Sequence, residues 1–303
     1  MFEIARPVFL YVETPLHPGA GSGLGHVDLP IQREVHSKLP TMQGSGIKGT
    51  LREAARRCVN KDFPEEHLFA IFGPETAEAN VHSGAVSFSD ARLLCFPIRS
   101  LNGLFAWTTC PLALARLKDD LALAGQPLPD DLKTPNLSAG NCLLPNPCEV
   151  SVRDNNVVLE DAVLTGAGDC SDWAGKLSQL LFPNAADDDY WKSKFEKSLV
   201  VLSDTDFGDL VQRGTEVITR IRINTGTGTV ERGGLWTEEH LPADTIMYSL
   251  ALVGKPTRNG CNKSAQESWE ALHEQVLAKC SRLQFGGDET TGKGLVRLVI
   301  GGD

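Results

Sequence analysis

Apolar residues in this chain come in short runs broken by polar or glycine-rich segments, and the spacing within each run predicts its element. Residues 5–13, rich in Val, Phe and Tyr, predict a first strand. Over residues 45–58, Ile47, Leu51, Ala54 and Ala55 recur at helical spacing, with Ser45 as the candidate cap. Lys48, Arg52 and Arg56 follow the same period. Gly84–Cys95 reads as a strand and 110–124 as a helix. Residues 125–147, rich in Pro, Asn and Leu, read as an irregular insertion loop, and 148–165 as a hairpin turning at Asp154-Asn155-Asn156. Then come a short polar helix (203–214), an alternating strand (216–224) and a glycine-punctuated exposed arm (225–245). A strand (246–253), a helix (264–280) and a final strand pair around Gly286-Gly287 complete the chain. Strands and helices alternate with long insertions, which predicts an α+β fold, and no internal repeat is visible.

With 303 residues the chain can bury a large core. No apolar run approaches the ~20 residues of a membrane span. The N-terminal MFEIARPVFLYVETP has acids and a proline where a signal peptide needs an apolar stretch, so a cytoplasmic protein is expected. Eight cysteines are scattered without metal spacing and are expected to be reduced, small apolar residues. The net charge of −10 argues against a free-standing nucleic-acid binder. Residues 1–60 nevertheless hold seven Lys/Arg against five acids, while acid concentrates in Lys118-Asp119-Asp120, Asp130-Asp131 and Asp187-Asp188-Asp189. A locally basic surface on an acidic body suits a protein that meets RNA inside an assembly.

The candidate chemistry lies between Leu16 and Arg52. Four of the seven residues 19–25 are glycine, which suits a backbone that bends sharply or approaches a ligand closely. Asp28 follows, and then Gly44-Ser45-Gly46 opens the basic helix. Glycine loops, one carboxylate and a basic helix N-terminus point to a phosphate backbone and its cleavage. A dinucleotide fingerprint fails, because His26 stands at its last glycine and Asp28-Leu29-Pro30 starts no helix. The segment Gly287–Gly294 matches G-x-x-x-x-G-K but has Gly294 where a P-loop needs Ser or Thr, and a strand pattern follows, so it reads as a glycine-rich β-turn.

Four blocks, LHPGAGSGLGHVDLPIQRE, LPTMQGSGIKGTLR, TGTVERGGLWTEEHLP and FGGDETTGKGLVRL, resemble the RAMP superfamily. The match is closest to the RNA-cleaving backbone subunit of the Cmr complex in type III-B CRISPR systems, and it spans the whole chain. The resemblance implies a single RAMP domain over 1–303, with a modified ferredoxin-like (RRM-like) palm, an insertion near 125–147 and a thumb β-hairpin near 225–245. It implies copies stacked along a CRISPR guide RNA beside other effector subunits, each cutting target RNA at regular intervals with a divalent cation, Mg2+ or Mn2+. By the same resemblance Asp28 is the key catalytic acid and metal ligand, His17 stands at a histidine eleven residues before it, and Glu238 at an acid of the LW-x-E block. His240 departs from the family's aromatic Tyr.

Each residue also has a plainer use. Asp28 caps turns well. His17 is either a surface histidine or a proton carrier. Glu238 and Glu239 are ordinary solvated acids for an arm. Lys48, Arg52 and Arg33 are candidate guide contacts, with Gly44, Ser45 and Gly46 at the phosphate, Gly286 and Gly287 near RNA, and Trp236 as a base wedge. Met247 and Phe285 are expected in the core. Two rival functions remain: a structural guide scaffold of the same fold, and a monomeric guide-processing RAMP endonuclease.

Overall fold

The structure is a computed structural model that describes residues 2–23, 25–75, 77, 80–186 and 189–301. Leu24 of the glycine block and Asp187-Asp188 of the acidic run lie outside the described residues. In chain order, β1 (Ile4–Val12), β2 (Thr41–Met42), α1 (Gly44–Arg57) and α2 (Glu65–Phe72) lead into β3 (Val86–Phe88), β4 (Ala91–Arg99), β5 (Phe105–Thr109) and α3 (Pro111–Leu123). The middle of the chain forms β6 (Asn141–Leu144), β7 (Asn156–Leu159), β8 (Ala162–Asp169), α4 (Ser171–Leu181), α5 (Tyr190–Ser198), β9 (Leu199–Leu202) and α6 (Asp204–Arg213). The last part forms β10 (Glu216–Ile223), β11 (Val230–His240), β12 (Ile246–Val253), α7 (Ala265–Leu272), β13 (Arg282–Gln284) and β14 (Leu295–Ile300).

Among the described residues these strands form a 12-stranded, mostly antiparallel sheet in the order β13-β14-β1-β12-β4-β5-β9-β6-β8-β7, with β2 beside β4 and β3 beside β12. The strand β1 is buried on both faces, because side chains alternate across a strand. Its Val8, Leu10 and Val12 enter one core with Ile47 and Leu51 of α1 and Trp269 and Leu272 of α7. Its Phe9 and Tyr11 enter a second core with Leu114 and Leu117 of α3, Trp173 and Leu177 of α4 and Phe195 of α5. That two-sided burial explains why residues 5–13 read as a nearly continuous apolar run. Met247 and Phe285 are fully buried, as expected.

Helix starts follow local chemistry. Pro111 begins α3, where a missing N–H costs nothing. Ser264 and Glu267 form a reciprocal capping box at α7. In α1, Ser45 is exposed and caps nothing; the Gly44 amide donates instead to Asp90 Oδ1 at 2.8 Å. Among the described residues no helix is long and apolar enough to cross a membrane.

Several boundaries differ from the sequence pattern, among them the helix expected over 264–280, which is α-helical over α7 and continues as a π-helical turn, His273–Leu277. The strand predicted over Gly84–Cys95 divides at Ser89-Asp90 into β3 and β4. The hairpin β7–β8 turns at Glu160-Asp161, between the pair Leu159 and Ala162. Asp154 and Asn155 do adopt the left-handed conformation their chemistry favours, but in a turn before the hairpin. Inside the predicted loop, Cys142 and Leu144 alternate into the core and form β6, a stretch too short to stand out among its Asn and Gly neighbours.

The arm is a two-stranded ribbon, β10 paired with β11, with a tight turn around Asn224. One face carries Val217, Ile221 and Leu235, each more than half exposed. The base of β11 is the opposite case: Glu238, Glu239 and His240 are buried, so these acids are not solvated.

Candidate active site

The end of β11 is gripped by the glycine block from two sides. Leu16 and Leu241 exchange backbone hydrogen bonds at 2.9 and 2.8 Å. Leu29 runs parallel to β11, donating to Thr237 O and accepting from Glu239 N, both at 3.0 Å. This pairing brings His17 and Asp28 to one strand end.

Asp28 does not cap a local turn. Its Oδ2 accepts from the Thr237 amide at 2.8 Å and the Thr237 hydroxyl at 2.9 Å. The carboxylate is exposed, and the Thr237 amide and hydroxyl hold it below the usual carboxylate range. An exposed, ionised oxygen pair is thus fixed in direction by a strand.

His17 Nδ1 lies 2.6 Å from the Glu239 carbonyl oxygen. A carbonyl only accepts, so Nδ1 carries the proton of the neutral ring and Nε2 keeps a free lone pair. A Cβ on Gly19 would stand 2.7 Å from that Nε2, so glycine leaves the nitrogen uncovered. The other side of His17 is backed by Gly286 and Gly287. The Gly287 amide donates to His17 O at 3.0 Å, and Gly286, at φ +70°, lies so near that a Cβ would meet the same oxygen at 2.3 Å. Gly286→Ala is therefore expected to lower the unfolding free energy by at least about 1–2 kcal/mol, the left-handed cost alone, as read by urea melts.

Glu238 accepts from Arg220 Nε at 2.8 Å and Trp236 Nε1 at 2.7 Å. Burial raises its carboxyl pKa, but the donors Trp236 and Arg220 outweigh burial and hold it low. His240 is fully buried, its ring 5.3 Å from that of His17, and Nε2 lies 3.4 Å from Asp288 Oδ2. Burial pushes its pKa down and keeps the ring neutral. Glu239 is held by Ile31 N, Thr215 Oγ1 and Arg33.

The candidate RNA contacts fall into two groups. Ser45 and Gly46 are exposed, whereas the Gly44 amide is engaged by Asp90, whose charge already sits at the positive end of α1. Lys48 donates to Val86 O and Arg52 to Pro74 O, both at 2.8 Å, and burial lowers the Lys48 pKa. Arg33 pairs with Glu239 and donates to Lys38 O. These cations have partners within the chain and are not a bare basic face. Trp236 is half-buried and tied to Glu238. Beside Gly19 and Ala20 a groove of about 790 Å3 opens, lined by Gln32, Arg33, His36 and Arg92. Thr237, Arg220, Asp288 and the burial of Glu239 were not anticipated. Asp288 stood in the FGGDETTGKG block, where glycine drew the attention; the others carry no local signal.

The profile of the RAMP superfamily matches residues 9–297. The CRISPR system Cmr endoribonuclease Cmr4 of Pyrococcus furiosus is 40% identical, over 97% of this chain and 94% of its own. The crystal structure of oligomeric Cmr4 from the same organism superposes with a TM-score of 0.70 at 30% identity, covering 98% and 97% of the two chains. A chain of the type III-B Cmr-beta complex bound to cognate target RNA shares the fold, with a TM-score of 0.73 at 22% identity over 99% and 98%. The glycine block gripping β11 thus sits on a known scaffold, and the chain belongs to the RAMP superfamily and, within it, to the Cmr4 family.

Proposed function

We propose that this chain is a guide-RNA-binding filament subunit of a type III-B CRISPR effector and that it cleaves complementary target RNA at regular intervals. One observation carries the cleavage step: an exposed carboxylate, Asp28, and an uncovered imidazole nitrogen, His17 Nε2, are fixed on the same strand end. In this reading His17 Nε2 takes the proton of a target 2′-hydroxyl, whose oxygen attacks the adjacent phosphorus to form a 2′,3′-cyclic phosphate as the bond to the 5′-oxygen breaks and that oxygen takes a proton from water. Asp28 orients that hydroxyl and would hold a divalent cation, Mg2+ or Mn2+, together with RNA phosphate oxygens. One carboxylate is thin ligation, so RNA completes the set. When bound, such a cation withdraws charge from the phosphate under attack. His240 is too buried to touch RNA and backs His17 instead.

The groove beside Gly19 is the candidate guide path, lined by Arg33 and Arg92 together with Glu34 and Asp90. The ribbon fits the thumb. Its exposed Val217, Ile221 and Leu235 are costly to leave in water and become buried once a duplex or a neighbouring copy arrives.

The complex is assembled with guide and complementary RNA, and cleavage is measured with magnesium, with EDTA and with a non-complementary target. Regular cuts that EDTA abolishes support the proposal; guide and target binding without cutting would leave only the scaffold. Replacing residues 222–234 with a tight turn is expected to leave the unfolding midpoint unchanged, because the ribbon tip joins neither core, and to lower cleavage. Gly19→Ala is expected to displace the His17 ring and reduce cleavage by about 10²-fold, the usual cost of an ångström-scale misplacement, with guide binding retained.

A further inference from the structure

Behind His17, three side chains from two distant parts of the chain converge. Glu238 and His240 project from the end of β11, and Asp288 from the glycine turn between β13 and β14. One ligand atom from each lies within 4.8 Å of the other two. We propose that Glu238, His240 and Asp288 form a protein-only site for a first-row divalent cation, Mn2+ or Zn2+ in preference to Mg2+, which fastens this turn to β11.

Two independent features point to a cation. Glu238 and Asp288 bring carboxylate oxygens within 4.8 Å of each other, two negative groups that a cation between them would join. His240 is fully buried, yet its Nδ1 has no hydrogen-bond partner and its Nε2 reaches Asp288 only at 3.4 Å, longer than a good N–H···O bond. The protein therefore leaves a buried imidazole poorly satisfied beside two carboxylates. Metal–ligand distances of ~2.0–2.2 Å require only a small side-chain closure from this spacing. One nitrogen and two carboxylate oxygens suit Mn2+ or Zn2+, whereas Mg2+ favours oxygen alone.

Arg220 and Trp236 each occupy one Glu238 oxygen and fix the carboxylate's direction. Each oxygen retains a second lone pair. A cation there would also steady Gly286 and Gly287 against His17 O, since Asp288 is the next residue of the turn.

The site is separate from Asp28, and the test reads binding instead of cleavage. The full chain is stripped with EDTA and dialysed, and Mn2+ uptake is followed by electron paramagnetic resonance and calorimetry, with Zn2+ and Mg2+ in parallel. One equivalent of Mn2+ or Zn2+ is expected, with weaker Mg2+ binding and a higher unfolding midpoint on loading. Asp288→Asn and His240→Gln should weaken binding by at least about tenfold, while Asp28→Asn should not. Far-UV circular dichroism verifies that each variant is folded, and Asp288, on a partly exposed turn, is the safer of the two. No uptake by the stripped wild-type chain would overturn the proposal. Uptake lost in Asp28→Asn but kept in Asp288→Asn would overturn it too.

Discussion

Asp28→Ala, placed in the assembled complex, is expected to lower target cleavage by about 10²–10³-fold, the usual loss for one electrostatic contributor to a transition state. Guide and target binding should hold, because Asp28 is an acid that attracts no phosphate directly and one carboxylate shares a cation with RNA only weakly. The structure adds a control. Asp28 also pins its loop to β11 through the Thr237 amide and hydroxyl, so Ala removes a tether as well as a charge. Asp28→Asn keeps an oxygen for those two donors and removes only the charge. If the role is electrostatic, both variants should be equally inactive. If Asn restores cleavage, Asp28 merely positions the loop, and the central claim fails. Thr237→Val, which keeps the carboxylate and the amide that holds it but removes the hydroxyl, should fall between wild type and Asp28→Asn. Rates from single-turnover cleavage on preassembled complexes decide among these outcomes.

Glu239→Ala is expected to cost about 3–5 kcal/mol of folding stability, the range for breaking a buried ion pair from one side. Arg33 would remain four-fifths buried without its counter-charge, and Ile31 N and Thr215 Oγ1 would lose their acceptor. The pH dependence carries the same signature. Burial raises the Glu239 pKa, but the donors Ile31, Thr215 and Arg33 outweigh it, so the folded value lies below the ordinary 4.5. A carboxyl with a depressed folded pKa contributes stability above its unfolded pKa and loses it as pH falls through the folded one. Urea midpoints of wild type and Glu239→Gln should therefore differ by a constant above about pH 5 and converge below the unfolded value. A gap that persists into acid would mean that the charge contributes nothing.

Much of this architecture was legible because burial imposes a period. The strand 246–253 stands where its apolar spacing put it, and the helix expected over 264–280 begins at its Ser264 cap but is α-helical only to Leu272. Asp28 stood out beside the glycine block, and His17 only through the resemblance to the RAMP superfamily. What stayed hidden depends on pairing across long stretches of chain. Asp28 meets Thr237 over 209 residues, and His240 meets Asp288 over 48. Glu239 reads as a solvated acid in a polar arm until Leu29 is laid against β11 and Arg33 follows it inward. Lys48 and Arg52 looked like free phosphate contacts because their partners, Val86 O and Pro74 O, are backbone carbonyls that no side-chain pattern announces.

The place of β1 bears on when this molecule becomes complete during synthesis. Its two neighbours, β12 and β14, are among the last strands of the chain to emerge. Until then a strand apolar on both faces has no hydrogen-bonding partner on either edge. Such distant pairing folds slowly and leaves sticky surface waiting. His17, directly after β1, gains Gly287 and the Glu239 carbonyl only from the same late segments. A nascent or truncated chain can therefore expose the glycine block but cannot fix the imidazole and Asp28 on one strand end. On this topology, the strand end that holds Asp28 and His17 is completed only after the last strands have emerged.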